Sequence, residues 1–216
     1  MMNMALAGLV VLVIGDSQMV GQHYLLTNTH DALTRQGAIV HSYGMCGTVP
    51  WDWLTAVPIT CGRLERHENG QAVIDMKPAL RWSVLDLIDK HHPNLVVIEL
   101  SDAMAEFGAD EMSRRWVSNE VQSLTSRITA RNVPCTWVGP VWGAEGAPYY
   151  KSALRVKEYA QFLAQSVAPC RFIDSTAFAQ PGEWPTVDGE HLTQAGYRQW
   201  GQDIATALGS QVAAKR

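Results

Sequence analysis

No run of lysine and arginine occurs in these 216 residues, and acidic side chains outnumber basic ones by 21 to 17. A net charge of −4 lacks the basic footprint that a phosphate backbone demands, so nucleic acid is excluded as a partner. Long apolar stretches are missing as well. The run Ala5–Ile14 is well short of the ~20 residues a membrane-crossing helix needs. It has no basic flank and leads straight into Gly15-Asp16-Ser17, so it reads as a first strand and not as the core of an export signal. Repeats, low-complexity tracts and linker-like breaks are absent. Residues 1–216 are therefore expected to form one domain, long enough to bury a full core. Cysteines number only four, and no Cys/His spacing matches a metal site. His91-His92 reads as a favourable contact at a helix end. Neither a metal nor a cofactor is expected.

What the chain does have is 47% hydrophobic and 18% charged residues, an ordinary balance for a globular protein. Val10–Ile14 is a β-branched and aliphatic run that stops at Gly15-Asp16-Ser17. A helix over 18–35 follows, closed by Gly37. A second strand at 38–43 empties into Gly44–Thr48. Residues 54–77 show no clear period beyond a turn signal at Asn69-Gly70. Pro78 is expected to open a helix reaching Lys90. Strands at 95–100, 133–141 and 171–174 then alternate with helices at 110–131, 151–167 and 192–208. Such alternation predicts an α/β fold with about five parallel strands, helices on both faces, and the loops of interest along one edge. Cys46 and Cys61 flank a Pro- and Trp-rich segment and are a candidate disulfide, whereas Cys135 and Cys170 open strands and read as buried thiols.

Two signals carry chemistry. A buried strand ending in a tight turn presents reactive groups at the carboxyl edge of a sheet. Ser17 sits on that turn with its backbone N–H at a helix start; the bland alternative is a turn in which Asp16 or Ser17 caps the helix. Far down the chain, Asp188 and His191 lie three residues apart before the last helix, which Thr193 can cap. That spacing lets a carboxylate hold one imidazole nitrogen while the other faces a crevice. A serine hydroxyl is a weak nucleophile until a positioned base takes its proton and a third group orients the base. Ser17, His191 and Asp188 fill those three roles. Asp102 and Glu99 then read as structural, and Glu190 as a solvated cap residue.

Gly15-Asp16-Ser17, Gly47 after the second strand, and Asp188-Gly-Glu-His191-Leu-Thr-Gln-Ala-Gly resemble, in order, blocks one, two and five of the SGNH/GDSL hydrolase superfamily. The likeness spans essentially the whole chain. It implies a flavodoxin-like, three-layer α/β/α fold, a Ser-His-Asp site and ester chemistry, with the oxyanion held by the N–H groups of Ser17 and Gly47. One departure matters. The family's third block offers Gly-x-Asn-Asp after the third strand, and this chain has Glu99-Leu100-Ser101-Asp102. Losing that Asn donor costs about 10²–10³ in turnover unless Ser101 or a backbone N–H replaces it. Superfamily members that move acetyl groups onto bacterial polysaccharides tend to share the lack. The chain is similar to them, namely to the alginate-acetylation proteins and the small SGNH component of cellulose-acetylation operons.

The resemblance implies that Ser17 attacks an acetyl ester, His191 carries the proton and Asp188 orients it. The acyl group then passes to a carbohydrate hydroxyl or to water, as in an exopolysaccharide O-acetyltransferase or an acetylesterase. The partners implied are an acetylated small molecule or polysaccharide and membrane-bound acetylation machinery. Two alternatives stay open: a lipid or thioester esterase with a long apolar groove, and a non-catalytic carbohydrate-binding subunit of an acetylation complex. Trp51, Trp53, Trp142 and Trp184 fall in loops on the expected catalytic edge, as does Tyr149; they either stack on sugar rings or roof the core. Trp82, Trp116, Trp137 and Trp200 are assigned to packing. A Cys46–Cys61 disulfide would favour the periplasm or the cell exterior, whereas free thiols would leave the cytoplasm open.

Overall fold

The structure is a computed structural model that describes residues 4–55, 58–59, 61–109, 111–146 and 148–214. In chain order the elements are β1 (Val10–Gly15), α1 (Leu25–Arg35), β2 (Ile39–Met45), β3 (Pro58–Ile59), β4 (Arg63–His67), β5 (Val73–Asp75), β6 (Ala79–Leu80) and α2 (Val84–His91). They continue with β7 (Leu95–Glu99), α3 (Asp102–Ala105), α4 (Arg114–Thr129), β8 (Cys135–Val138), α5 (Ala153–Ser166), β9 (Arg171–Ile173) and α6 (Gln194–Ala213). The central sheet runs β5-β4-β2-β1-β7-β8-β9. Its parallel part, β2-β1-β7-β8-β9, has the flavodoxin-like order 2-1-3-4-5, whose switch point falls between β1 and β7. A crevice outside the carboxyl ends of those two strands is where this topology places a ligand.

The strands alternate their side chains between two cores. Leu12 and Ile14 of β1, Tyr43 and Met45 of β2, and Val96 and Ile98 of β7 face α2, α4 and α5. Val11, Val13, Val40 and Val97 face α1 and α6. On α6 the inward stripe is Tyr197, Trp200, Ile204 and Leu208, all at most 1% exposed. Each such side chain contributes about 1.5–3 kcal/mol by leaving water.

Among the described residues the sheet has seven strands, the five parallel ones and two more. The two extra ones, β4 and β5, form an antiparallel hairpin on the edge of β2, drawn from the stretch without readable period. Other boundaries differ as well. Ala5–Gly8 forms turns, so the first strand begins only at Val10. The helix expected from residue 18 is a 3-10 turn over Ser17–Met19 followed, after a break, by α1. Pro78 opens no helix: Ala79–Leu80 pairs with Pro58–Ile59, and α2 starts after Ser83. Residue 110, where the next helix was expected to begin, lies outside the described residues, and α4 starts at Arg114.

Cys46 is bonded to Cys61, with Cα atoms 5.5 Å apart. Cys135 and Cys170 are also joined and are not buried thiols; they sit at the starts of neighbouring parallel strands, Cα atoms 4.7 Å apart. Among the described residues no helix is long and apolar enough to cross a membrane.

Candidate active site

The turn after β1 is tight because the chain has no room there for a side chain. A Cβ at Gly15 would lie 2.4 Å from Met19 Cγ and 2.7 Å from the Glu99 carbonyl, closer than any real contact. Asp16 caps the turn by accepting from the Gln18 N–H, which leaves Ser17 at its first position. The other half of the site is a looped segment before α6. Val187 N–H donates to the His191 carbonyl, and Thr193 N–H to Pro185. Thr193 caps α6 by accepting from Gly196 N–H.

These two segments, 174 positions apart in sequence, meet. Ser17 Oγ is 3.1 Å from His191 Nε2. His191 Nδ1 is 2.7 Å from Asp188 Oδ2, and Asp188 Oδ1 accepts from the N–H groups of His191 and Glu190. Burial pushes the Asp188 carboxyl up, but those backbone donors and the imidazole outweigh it and hold the group below its ordinary value. A carboxylate that stays ionised fixes the imidazole with its Nε2 toward Ser17. Ser17 and His191 line a cavity of about 620 Å³ together with Gly47, Asp102, Ala103, Glu106, Phe107, Tyr149 and Glu190. Gly47 has φ +67°, a conformation that brings its backbone, unencumbered by a side chain, to the wall. Among the described residues, no acceptor takes the N–H of Ser17 or of Gly47.

Several expected site residues lie elsewhere. Ser101 is buried; its hydroxyl donates to the Val138 carbonyl and accepts from Trp137 Nε1, so its single proton is not free for an oxyanion. Trp53 is fully buried, with its indole N–H on Thr48 Oγ1. Trp142 and Trp184 pack against the two cores, and Trp51 is 52% exposed, its backbone N–H donating to Glu120 on α4. None of the four lines the cavity that holds Ser17. Tyr149 does, edge-on to His191 with ring centroids 6.0 Å apart. Glu190 is not a solvated cap: it is 8% exposed and faces the cavity. No short motif marks Glu190, Phe107 or Glu106, because the loops that gather them carry no period.

Beneath the site lies a buried polar network that sequence spacing does not signal. Tyr197 Oη donates to Gln18 Oε1, and Gln18 Nε2 donates to Asp102 Oδ2, which is also 2.6 Å from Lys151 Nζ. Lys151 is fully buried. Asp16 and Glu99 share this pocket. Burial first, then Asp102, pushes Asp16 up to about 7; burial, then Asp16 and Asp102, holds Glu99 well above the ordinary carboxyl range. Among the described residues no donor reaches either Glu99 oxygen, as suits a neutral carboxyl. Glu190 is likewise raised to about 7 by burial and Asp102.

These shifts have a sign. Asp16, Glu99 and Glu190 keep protons in the folded state that the unfolded chain releases near pH 4, so their contribution to stability falls as the pH rises toward 7 and beyond. His30, His41 and His91 act oppositely: burial lowers all three, His30 and His91 to about 4, so they favour the folded state as the pH rises from about 4 to 6.5. Above 6.5 only the carboxyls remain. Urea midpoints are therefore expected to fall between pH 6.5 and 8; a flat or rising profile over that window contradicts the assignment.

No family model matches the chain. Protein BcsX of Komagataeibacter xylinus is 42% identical over 210 residues, covering 95% of this chain and 79% of its own length. Solved structures share the fold at low identity. A DUF4886 family protein from Bacteroides uniformis has a TM-score of 0.66 at 12% identity, covering 93% of this chain and 82% of that one. A peptidoglycan O-acetylesterase has 0.58 at 10%, covering 98% and 93%. An acetylxylan esterase from Geobacillus stearothermophilus has 0.55 at 14%, covering 96% and 95%.

Proposed function

We propose a function on one premise: this chain belongs to the SGNH/GDSL hydrolase superfamily, in the family of protein BcsX. It acts as a serine-dependent acetyl-transfer enzyme on carbohydrate. The observation that carries this reading is the run of contacts from Ser17 Oγ through His191 to Asp188 on the wall of an open cavity. His191 Nε2 accepts the Ser17 proton as Oγ attacks the ester carbonyl, and Asp188 stabilises the imidazolium that forms. The Ser17 and Gly47 N–H groups take the oxyanion. His191 then returns the proton to the leaving oxygen. The acetyl group then passes from Ser17 Oγ to a sugar hydroxyl, or to water, whose proton the same imidazole takes and returns to Oγ.

The choice of acetyl and sugar over a long acyl chain rests on the walls. Glu106 and Glu190 line the cavity together with Phe107 and Tyr149, polar groups and aromatic rings in one place, which suits sugar hydroxyls and C–H surfaces. Two disulfides fit an oxidising compartment such as the periplasm, where polysaccharide and acetylation machinery would meet the protein. The similarity to the small SGNH component of cellulose-acetylation operons makes a β-glucan the first acceptor to try.

A chromogenic ester series with and without cello-oligosaccharide tests this. Turnover is expected to be highest for acetyl and to fall at least about tenfold by octanoyl, with acetyl appearing on the oligosaccharide. Activity that rises with chain length overturns the reading in favour of a lipid or thioester esterase. The committed Ser101 hydroxyl favours a second reading, a non-catalytic carbohydrate-binding subunit. It predicts no turnover of any ester and glycan binding unchanged by His191→Ala.

A further inference from the structure

His41 on β2 and His67 on β4 lie directly opposite each other, and their Nδ1 atoms are 3.3 Å apart. His91, the last residue of α2, stacks on His41 with ring centroids 3.9 Å apart. One ring nitrogen from each of the three lies within 4.8 Å of the others. A tetrahedral ion with Zn–N bonds of about 2.0–2.1 Å sets its ligand nitrogens about 3.3–3.4 Å apart, which is the His41–His67 separation.

The rings are also held from behind. His67 Nε2 meets Glu65 Oε2 at 3.1 Å, and His91 Nε2 meets Tyr43 Oη at 2.7 Å. Metal-ligating imidazoles are oriented in this way, one nitrogen on the ion and the other on a carboxylate or another polar group. A ligand must be unprotonated. Burial, the first cause for both, favours the neutral form of His41 and His91.

We infer that His41, His67 and His91 form a binding site for one divalent late-transition-metal ion, zinc foremost, on the sheet face beneath the end of α2. Imidazoles select zinc, copper or nickel over magnesium or calcium. Three of them leave one tetrahedral position for water. The ion would tie β4 and α2 to β2, the strand that runs on to Gly47 at the cavity. The three ligands come from separate elements, which is why no spacing in the sequence announces them.

Isothermal titration of untagged, chelator-treated protein with zinc chloride tests the site. One zinc per chain is expected, with a rise in melting temperature that magnesium chloride does not produce. His67→Gln and His91→Gln should abolish stoichiometric uptake. Glu65→Gln should weaken it about 10- to 100-fold, and His92→Gln, one residue along and exposed, should leave it unchanged. Substoichiometric uptake by the unaltered protein, or uptake that both His67→Gln and Glu65→Gln leave intact, overturns the proposal. Should His67→Gln fail to fold, the half-exposed Glu65 position decides alone.

Discussion

Ser17→Ala is expected to lower kcat toward an activated acetyl ester by about 10⁴- to 10⁶-fold while leaving the fold intact. The hydroxyl's hydrogen bond is to His191 Nε2, so its loss removes the nucleophile and little else. The turn is held by Gly15, which Met19 and Glu99 crowd, and by the Asp16 cap. His191→Ala should cost a similar factor. The double variant should be no worse than either, because nucleophile and base act as one unit. Steady-state kinetics on matched, folded protein checks this. A Ser17→Ala protein that turns over within tenfold of the original contradicts the catalytic assignment.

Lys151→Met is expected to cost about 3–5 kcal/mol of stability. Lys151 and Asp102 are a buried pair, and Asp102 already shares its pocket with Asp16 and Glu99. Removing the cation leaves a carboxylate with Gln18 as its remaining side-chain donor. Lys151→Met/Asp102→Asn should recover most of the loss, since the charge is removed while Gln18 Nε2 keeps an acceptor. Asp102 in turn accepts from Gln18, which lies on the turn that carries Ser17. Denaturant midpoints of the two variants test the pair. A single variant as stable as the parent, or a double variant no better than the single, contradicts the account.

How much of this was legible in the sequence depended on range. β1 and β7 are continuous apolar runs buried on both faces, so composition alone marks them, and their alternation with helices implied the parallel order. The Ser17 turn and the Asp188–His191 segment are each local, and each could be read without knowing what it packs against. The β4–β5 hairpin could not. Its exposed edge strand, Val73–Asp75, has no buried residue among its three, so the two-residue period is missing. Pro78 carries a helix-start signal that the pairing of Ala79–Leu80 with Pro58–Ile59 overrides.

Side-chain destinations were harder still. Trp53 and Trp51 sit two residues apart on one 3-10 turn, yet one is fully buried and the other half exposed. The turn packs against α4, which lies far along the chain. Glu190 is buried through its neighbours in space, Asp102 among them, and Cys135 meets Cys170 only because β8 and β9 are adjacent. Each of these follows from a partner more than thirty positions away.

Acid-quenched mass spectrometry during turnover of an activated acetyl ester tests the central claim most directly. With an oxyanion site short of one side-chain donor, resolution by water should be slow enough for the acetyl-enzyme to accumulate. The account predicts a single acetyl group on the peptide bearing Ser17, absent from Ser17→Ala and discharged by a sugar acceptor. Product formation without any such adduct, or an adduct of equal yield in Ser17→Ala, would contradict it.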